Sequence, residues 1–133
     1  MLIDNDYCFG CGQANPIGLK LTFEHNEATG EYSTTFVPEQ EHQGWLDRVH
    51  GGLLALVFDE VLSRVALISI GKYWVTAELN IRLIRPAPIG VPLRFTAKIV
   101  SQRTKLVTTQ AQARDDAGNI IGTGTAKLMK PGS

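Results

Sequence analysis

Residues 49–60 read VHGGLLALVFDE. Two glycines follow His50, and Asp59 stands nine residues after it with Glu60 alongside. Glycine is a poor helix former, and an acid inside an apolar run is costly to bury. Both features have a chemical use. The first N–H groups of a helix lack intrahelical partners and lie at the positive end of its dipole. Gly51 and Gly52 carry no side chains, so a carbonyl group can approach that backbone closely. Donors aimed at a developing oxyanion are worth ~2.7–4 kcal/mol each. The plainer alternatives are a helix start that needs glycine for packing and an acid that caps a buried polar network. Glu60 projects about 100° round the helix from Asp59 and reads as structural.

A second group with chemical potential lies near the N-terminus. Cys8 and Cys11 form CFGC. One such pair supplies only two of the four ligands of a structural zinc. The chain holds no other cysteine, although His25 or His42 could contribute. A redox pair of this spacing belongs at a helix start beside a βαβ unit, and the pattern contains none. The pair therefore reads as a structural motif, with no metal and no cofactor expected.

The elements that must position these residues follow from periodicity. Residues 17–25, IGLKLTFEH, alternate Leu19, Leu21 and Phe23 with Lys20, Thr22 and Glu24, as in a strand. A turn near NEATG leads to a second strand, EYSTTFV, and residues 38–49 read as a loop. A helix is expected from about Gly51 to Ser69, apolar almost all round, which predicts burial on most sides. After Gly71 the period becomes two. Val75, Ala77, Leu79, Ile81 and Leu83 are expected on one face, with Thr76, Glu78, Asn80 and Arg82 on the other. The strands PLRFTAKIVSQ, KLVTTQAQARD and IIGTGTAKLMK follow, with DDAGN as a hairpin signal. Gly122 and Gly124 share a face, which implies a bulky neighbour close by. One helix among six strands is an α+β arrangement, a curved antiparallel sheet wrapped round a central helix.

Length and composition agree. The 133 residues suit a single domain, 1–133, and 44% are hydrophobic, enough for a core. Thirteen basic and thirteen acidic residues cancel, which argues against a general nucleic-acid binder. No apolar run approaches membrane-span length, and the start, MLIDNDYCFGCG, lacks the pattern of a signal peptide. A cytoplasmic protein without membrane partners is expected.

VHGGLLALVFDE followed by VTAELNIRLIRPAPIG resembles the hotdog-fold thioesterase superfamily, in its phenylacetate-type (PaaI-like) acyl-CoA thioesterase branch. The similarity extends to YCFGCGQANPIGLKLTF at one end and GTGTAKLMK at the other. It implies a hotdog fold, protomers paired as homodimers or homotetramers, and metal-independent hydrolysis of an acyl-CoA substrate. It assigns the oxyanion donor to the Gly51 N–H and the catalytic acid to Asp59, as nucleophile or as general base. Thr76 matches a hydroxyl that positions water or the acid. His50 either contacts the carbonyl or orders the loop, and Gly52 borders the substrate. Many members carry Asn six residues before the histidine, where this chain has Gly44.

Gly52 and Asp59 share a helix face but lie about 10 Å apart along the axis at ~1.5 Å per residue. One carbon must approach to about 3 Å of both donor and acid. Asp59 from an antiparallel second protomer would reach more easily, and the resemblance implies the same arrangement. Arg82, Arg85, Arg94, Arg103 and Lys105 are candidates for the CoA phosphates, with Arg85 first. A non-catalytic acyl-CoA-binding protein and a dehydratase on the same fold are the alternatives.

Overall fold

The computed structural model describes residues 5–131. Its centre is one helix, α1, Gly51–Ile70. His50 caps it in an extended conformation (φ −60°, ψ 128°), and its side chain accepts from the Gly52 N–H. At the other end Gly71 adopts φ 81°, and its N–H donates to the Leu67 carbonyl at 2.8 Å. A β-branched or bulky residue would be strained at that angle, so glycine ends the helix there. Leu54, Val57, Phe58, Val61, Leu62, Val65 and Ala66 are buried at three- and four-residue intervals. That spacing is one helix face laid on the sheet.

Six strands form the sheet: β1 (Phe23–Asn26), β2 (Glu31–Phe36), β3 (Val75–Leu83), β4 (Leu93–Gln102), β5 (Leu106–Asp115) and β6 (Ile120–Met129). They pair antiparallel throughout in the order β1-β2-β4-β5-β6-β3. The inward residues Leu93, Phe95 and Ala97 of β4, Val107 of β5 and Leu128 of β6 are fully buried with the helix face. Phe58 meets Phe95 edge-on at 4.9 Å between ring centres, and burying each ring contributes roughly 1.5–3 kcal/mol. The Thr109 hydroxyl, fully buried, donates to the Leu62 carbonyl at 3.0 Å and ties β5 to α1.

The glycines of β6 have the close neighbour the sequence implies. A Cβ on Gly124 would sit 3.0 Å from Phe58 Cδ1 and 2.9 Å from Ile81 Cδ1. On Gly122 it would sit 2.8 Å from the Arg82 carbonyl oxygen. The helix thus packs down on β6 through Phe58.

Two expectations need correction. The strand expected over residues 17–25 is shorter, beginning at Phe23. Before it, the N–H groups of Leu19 and Leu21 donate to the carbonyls of Phe9 and Gly10, both at 2.9 Å. Residues 19–21 thus hold the N-terminal loop rather than β2. In β3 the strict alternation fails, because the register with β6 shifts between Thr76 and Glu78. Thr76 lies opposite the buried Leu128, so it faces α1 together with Leu79 and Ile81. Val75, opposite the exposed Met129, points the other way. A bulge inserts one residue and reverses the faces on either side of it.

Candidate active site

The helix start is built by the loop before it. Residues 43–49 fold back on themselves: the Gly44 N–H donates to the Arg48 carbonyl at 2.9 Å, and Gln43 pairs with Val49. The His50 N–H donates to the His42 carbonyl at 2.9 Å. A Cβ on Gly44 would lie 3.0 Å from His50 Cα, so the loop packs closely against the helix start at this position. At its tip Trp45 and Leu46 are 87% and 83% exposed.

Of the two glycine donors, one is engaged and one is open. His50 Nδ1 accepts from the Gly52 N–H at 2.9 Å. That bond fixes the imidazole against the first turn and occupies the donor expected to border the substrate. The Gly51 N–H has no hydrogen-bond acceptor among the described residues. Gly51 is half-buried, and the side chain closest to a Cβ built there is Leu83, with Cδ1 at 3.1 Å.

Asp59 sits two turns further along α1, half-buried. The Thr76 hydroxyl of β3 donates to its Oδ1 at 2.8 Å. This contact depends on the bulge that turns Thr76 toward the helix. Burial pushes the Asp59 carboxyl above its ordinary pKa. The Thr76 hydrogen bond pulls the other way, and the neighbouring charge of Glu60 pushes up again.

These contacts define a seam between α1 and β3. At one end Gly51 lies against Leu83, the last residue of β3. At the other Asp59 lies against Thr76, near its beginning. The donor and the acid are therefore at opposite ends of the seam, about 12 Å apart for eight residues at ~1.5 Å each. The strand that borders it, β3, ends the sheet, and its outer edge pairs with no described strand. Val75, Leu79, Leu83 and Ile84 leave apolar surface exposed there, Leu83 at 47%.

Arg85 lies past the end of β3 and is exposed, with its N–H donating to the Ile121 carbonyl at 3.1 Å. The Asp115 carboxyl is held below its ordinary range, mainly by the Asn119 side chain, with the Arg85 charge a smaller contributor. Arg94 is committed elsewhere: it donates to Ser33 at 2.8 Å and pairs with Glu24 at 3.4 Å. Arg82 and Lys98 line a cavity of about 700 Å³ on the sheet face turned away from α1, which includes neither Gly51 nor Asp59.

One cluster escapes a reading of local sequence. Glu60 is half-buried and accepts from Cys8 Sγ at 3.2 Å and from Arg64 Nε at 3.3 Å. Arg64 also donates to Cys11 Sγ at 2.8 Å. Burial and the adjacent Cys8 push the Cys11 thiol up to about 12. Glu60 and Cys8 are 52 residues apart, so spacing alone could not join them.

One long helix packed on a curved six-stranded antiparallel sheet is the hotdog fold. The chain belongs to the thioesterase superfamily, whose family model matches residues 46–121. It is 30% identical over 100 residues to acyl-coenzyme A thioesterase 13 of Homo sapiens, covering 73% of this chain and 71% of that one. Among solved structures it superposes on thioesterase superfamily protein RHA08564 with a TM-score of 0.85 and 29% identity. That match covers 94% of this chain, which spans 61% of the other. The E. coli PaaI protein from the phenylacetic acid degradation operon shares the fold at 19% identity, with a TM-score of 0.76, over 86% of this chain and 82% of that one.

Proposed function

We propose that this protein hydrolyses acyl-CoA thioesters in the cytoplasm, at a site shared between two protomers paired along β3. The observation that carries the reading is the α1–β3 seam, with an open Gly51 N–H at one end and the Thr76-bonded Asp59 at the other. A two-fold axis near the middle of β3 would pair this edge with its copy. It would bring the partner's Asp59 end against this chain's Gly51 end. Pairing would also cover the apolar edge residues, which are a liability if left open. The curated relative is named for acyl-coenzyme A, which supports that substrate class.

In this arrangement the Gly51 N–H holds the thioester carbonyl oxygen and stabilises the charge that develops on it. Asp59 takes the proton of a water that attacks the carbonyl carbon, or attacks the carbon itself and is freed by water afterwards. Either route breaks the C–S bond, and the leaving CoA thiolate takes up a proton to give free acid and thiol. Thr76 is a positioning residue that orients the carboxylate. His50 orders the first turn through Gly52. Trp45 and Leu46 provide apolar surface beside the helix start for the acyl group, and Arg85 is a cation for the CoA phosphates.

The test is a panel of acyl-CoA esters, short, long and aromatic, with CoA release followed by liquid chromatography so that Cys8 and Cys11 do not interfere. At least one ester should be hydrolysed, and Asp59→Asn should slow it by at least about 10²-fold while a non-hydrolysable analogue still binds. Analogue binding with no release from any ester would favour a non-catalytic acyl-CoA binder. Near wild-type turnover in Asp59→Asn would remove Asp59 from the mechanism.

A further inference from the structure

The N-terminal loop carries a donor set that thioester hydrolysis leaves unused. The sulfur atoms of Cys8 and Cys11 and a carboxylate oxygen of Glu60 all lie within 4.8 Å of one another. We propose that Cys8, Cys11 and Glu60 bind a thiophilic divalent cation of the zinc class and so clamp the N-terminal loop to α1.

The loop is shaped for this convergence. The Gly12 N–H donates to the Cys8 carbonyl at 2.8 Å, which closes a tight turn carrying both thiols. A Cβ on Gly12 would lie 2.2 Å from the Asp6 carbonyl oxygen, so only glycine fits that turn. A Cβ on Gly10 would lie 2.5 Å from the Glu60 side chain, so only glycine lets the carboxylate come this near. The backbone pairing of Leu19 and Leu21 to Phe9 and Gly10 holds the loop in place.

The distances suit the ion. Zinc bonds of about 2.3 Å to sulfur and 2.0–2.2 Å to oxygen put two tetrahedral sulfurs about 3.8 Å apart, and sulfur and oxygen about 3.5 Å apart. Cys8 Sγ and Glu60 Oε1 are already at 3.2 Å. Small side-chain rotations bring the three onto one centre, and a water completes the tetrahedron beside the cavity lined by Asn5, Asp6 and Cys11.

Arg64 is the obvious competitor, a cation already in contact with Glu60 and Cys11. Charge counting makes it a supporting partner instead. One divalent ion replaces two thiol protons, so the cluster with Glu60 and Arg64 stays neutral overall. The guanidinium also lies over the Phe23 ring, 5.5 Å from its centre, so it is held from outside the cluster. Outer partners of this kind orient metal ligands. A disulfide would use the two cysteines but give no role to the carboxylate. Thiols are also weak hydrogen-bond donors, so the Cys8 contact holds the Glu60 carboxylate only weakly in the absence of metal.

The experiment uses untagged full-length protein, reduced, stripped with a chelator and titrated with Zn2+ against a chromophoric chelator, then with Co2+. We expect one Zn2+ per chain, thiolate-to-Co2+ charge-transfer absorption, and a higher melting temperature with metal. Cys8→Ser and Cys11→Ser should abolish the absorption. Glu60→Gln, which keeps both thiols and the shape of the side chain, should weaken binding at least about ten-fold. Under a tenth of an ion per chain at micromolar free Zn2+ would overturn the proposal. So would stoichiometric binding that survives both cysteine substitutions. Loss of two hydrogens on mild oxidation by reduced protein that takes up no metal would instead assign the pair to a disulfide. None of these readouts depends on thioester hydrolysis.

Discussion

Mixing two inactive variants tests the shared site directly. Asp59→Asn removes the carboxylate but leaves an oxygen for the Thr76 hydroxyl to reach. Gly51→Pro removes the open N–H. Proline is well tolerated at the first helical position, and the preceding residue must then be extended. His50 already is, at φ −60° and ψ 128°. A Cβ at position 51 meets only the tip of Leu83, at 3.1 Å, which can move. The variant should therefore fold, as circular dichroism and thermal melting would show. Each homodimer should retain at most about 1% of wild-type turnover, since either loss costs about 10²-fold or more, some 2.7 kcal/mol. If donor and acid come from different protomers, a mixed dimer holds one intact site and one doubly defective site. Free exchange makes about half of the dimers mixed, and half of their sites work, so about a quarter of wild-type activity should return. That is roughly twenty-five times the background. The assay is CoA release after co-incubation, with exchange verified by native mass spectrometry of differently labelled subunits. Verified exchange without recovery would mean that donor and acid serve one site from one chain, and the two-fold model would be refuted.

The remaining predictions concern the carboxylate and the packing beneath it. The folded-state pKa of Asp59 is raised, so the protonated acid favours folding below the unfolded value, and that contribution is lost as pH rises through the folded one. At neutral pH the carboxylate costs stability, and Asp59→Asn should melt above wild type by a margin that narrows on acidification; a constant or inverted margin in pH-resolved melts would contradict this. Thr76→Val removes the contact that lowers the Asp59 pKa, so the acid limb of the pH–rate profile should move to higher pH; an unmoved limb would deny Thr76 its positioning role. Gly122→Ala places a methyl 2.8 Å from the Arg82 carbonyl oxygen and should destabilise by about 1–3 kcal/mol, read from urea unfolding. An unchanged midpoint would mean that β3 and β6 separate freely.

Much of this was legible in the sequence, because local signals and global fold agree in most segments. The helix shows in its apolar run and in the glycine after it, and it spans Gly51–Ile70 with Gly71 in the left-handed region. The β4–β6 meander shows in its alternation, and the DDAGN turn joins Asp115 to Ile120. Gly122 and Gly124 announced a close neighbour, though not that it would be Phe58. What failed was local geometry set by long-range contacts. Alternation placed Thr76 with Glu78, whereas a bulge turns it toward Asp59. Nothing in the residues themselves marks where a strand gains an extra residue. The strand pattern of residues 17–25 was real at Phe23 but misleading before it, since Leu19 and Leu21 answer to the N-terminal loop. Glu60 reads as structural from the sequence, but its partners, Cys8 and Arg64, converge on it only in the folded chain and so could not be named.

The bulge and the two helix defects belong to one design. An acid on a helix needs burial to raise its proton affinity, yet too much burial would leave it protonated and idle as a base. In α1 the apolar run supplies the burial, and the Thr76 hydroxyl, turned inward by the bulge, limits the rise. The same strand carries Leu83 to the far end of the helix, where the Gly51 N–H has no acceptor among the described residues. In the proposed mechanism each end supplies half of what thioester cleavage needs, and β3 sets the separation between them. A strand paired with its own copy in antiparallel register exchanges its two ends. Two incomplete seams would then become two complete sites, with no residue added and the sheet edge closed in the same step.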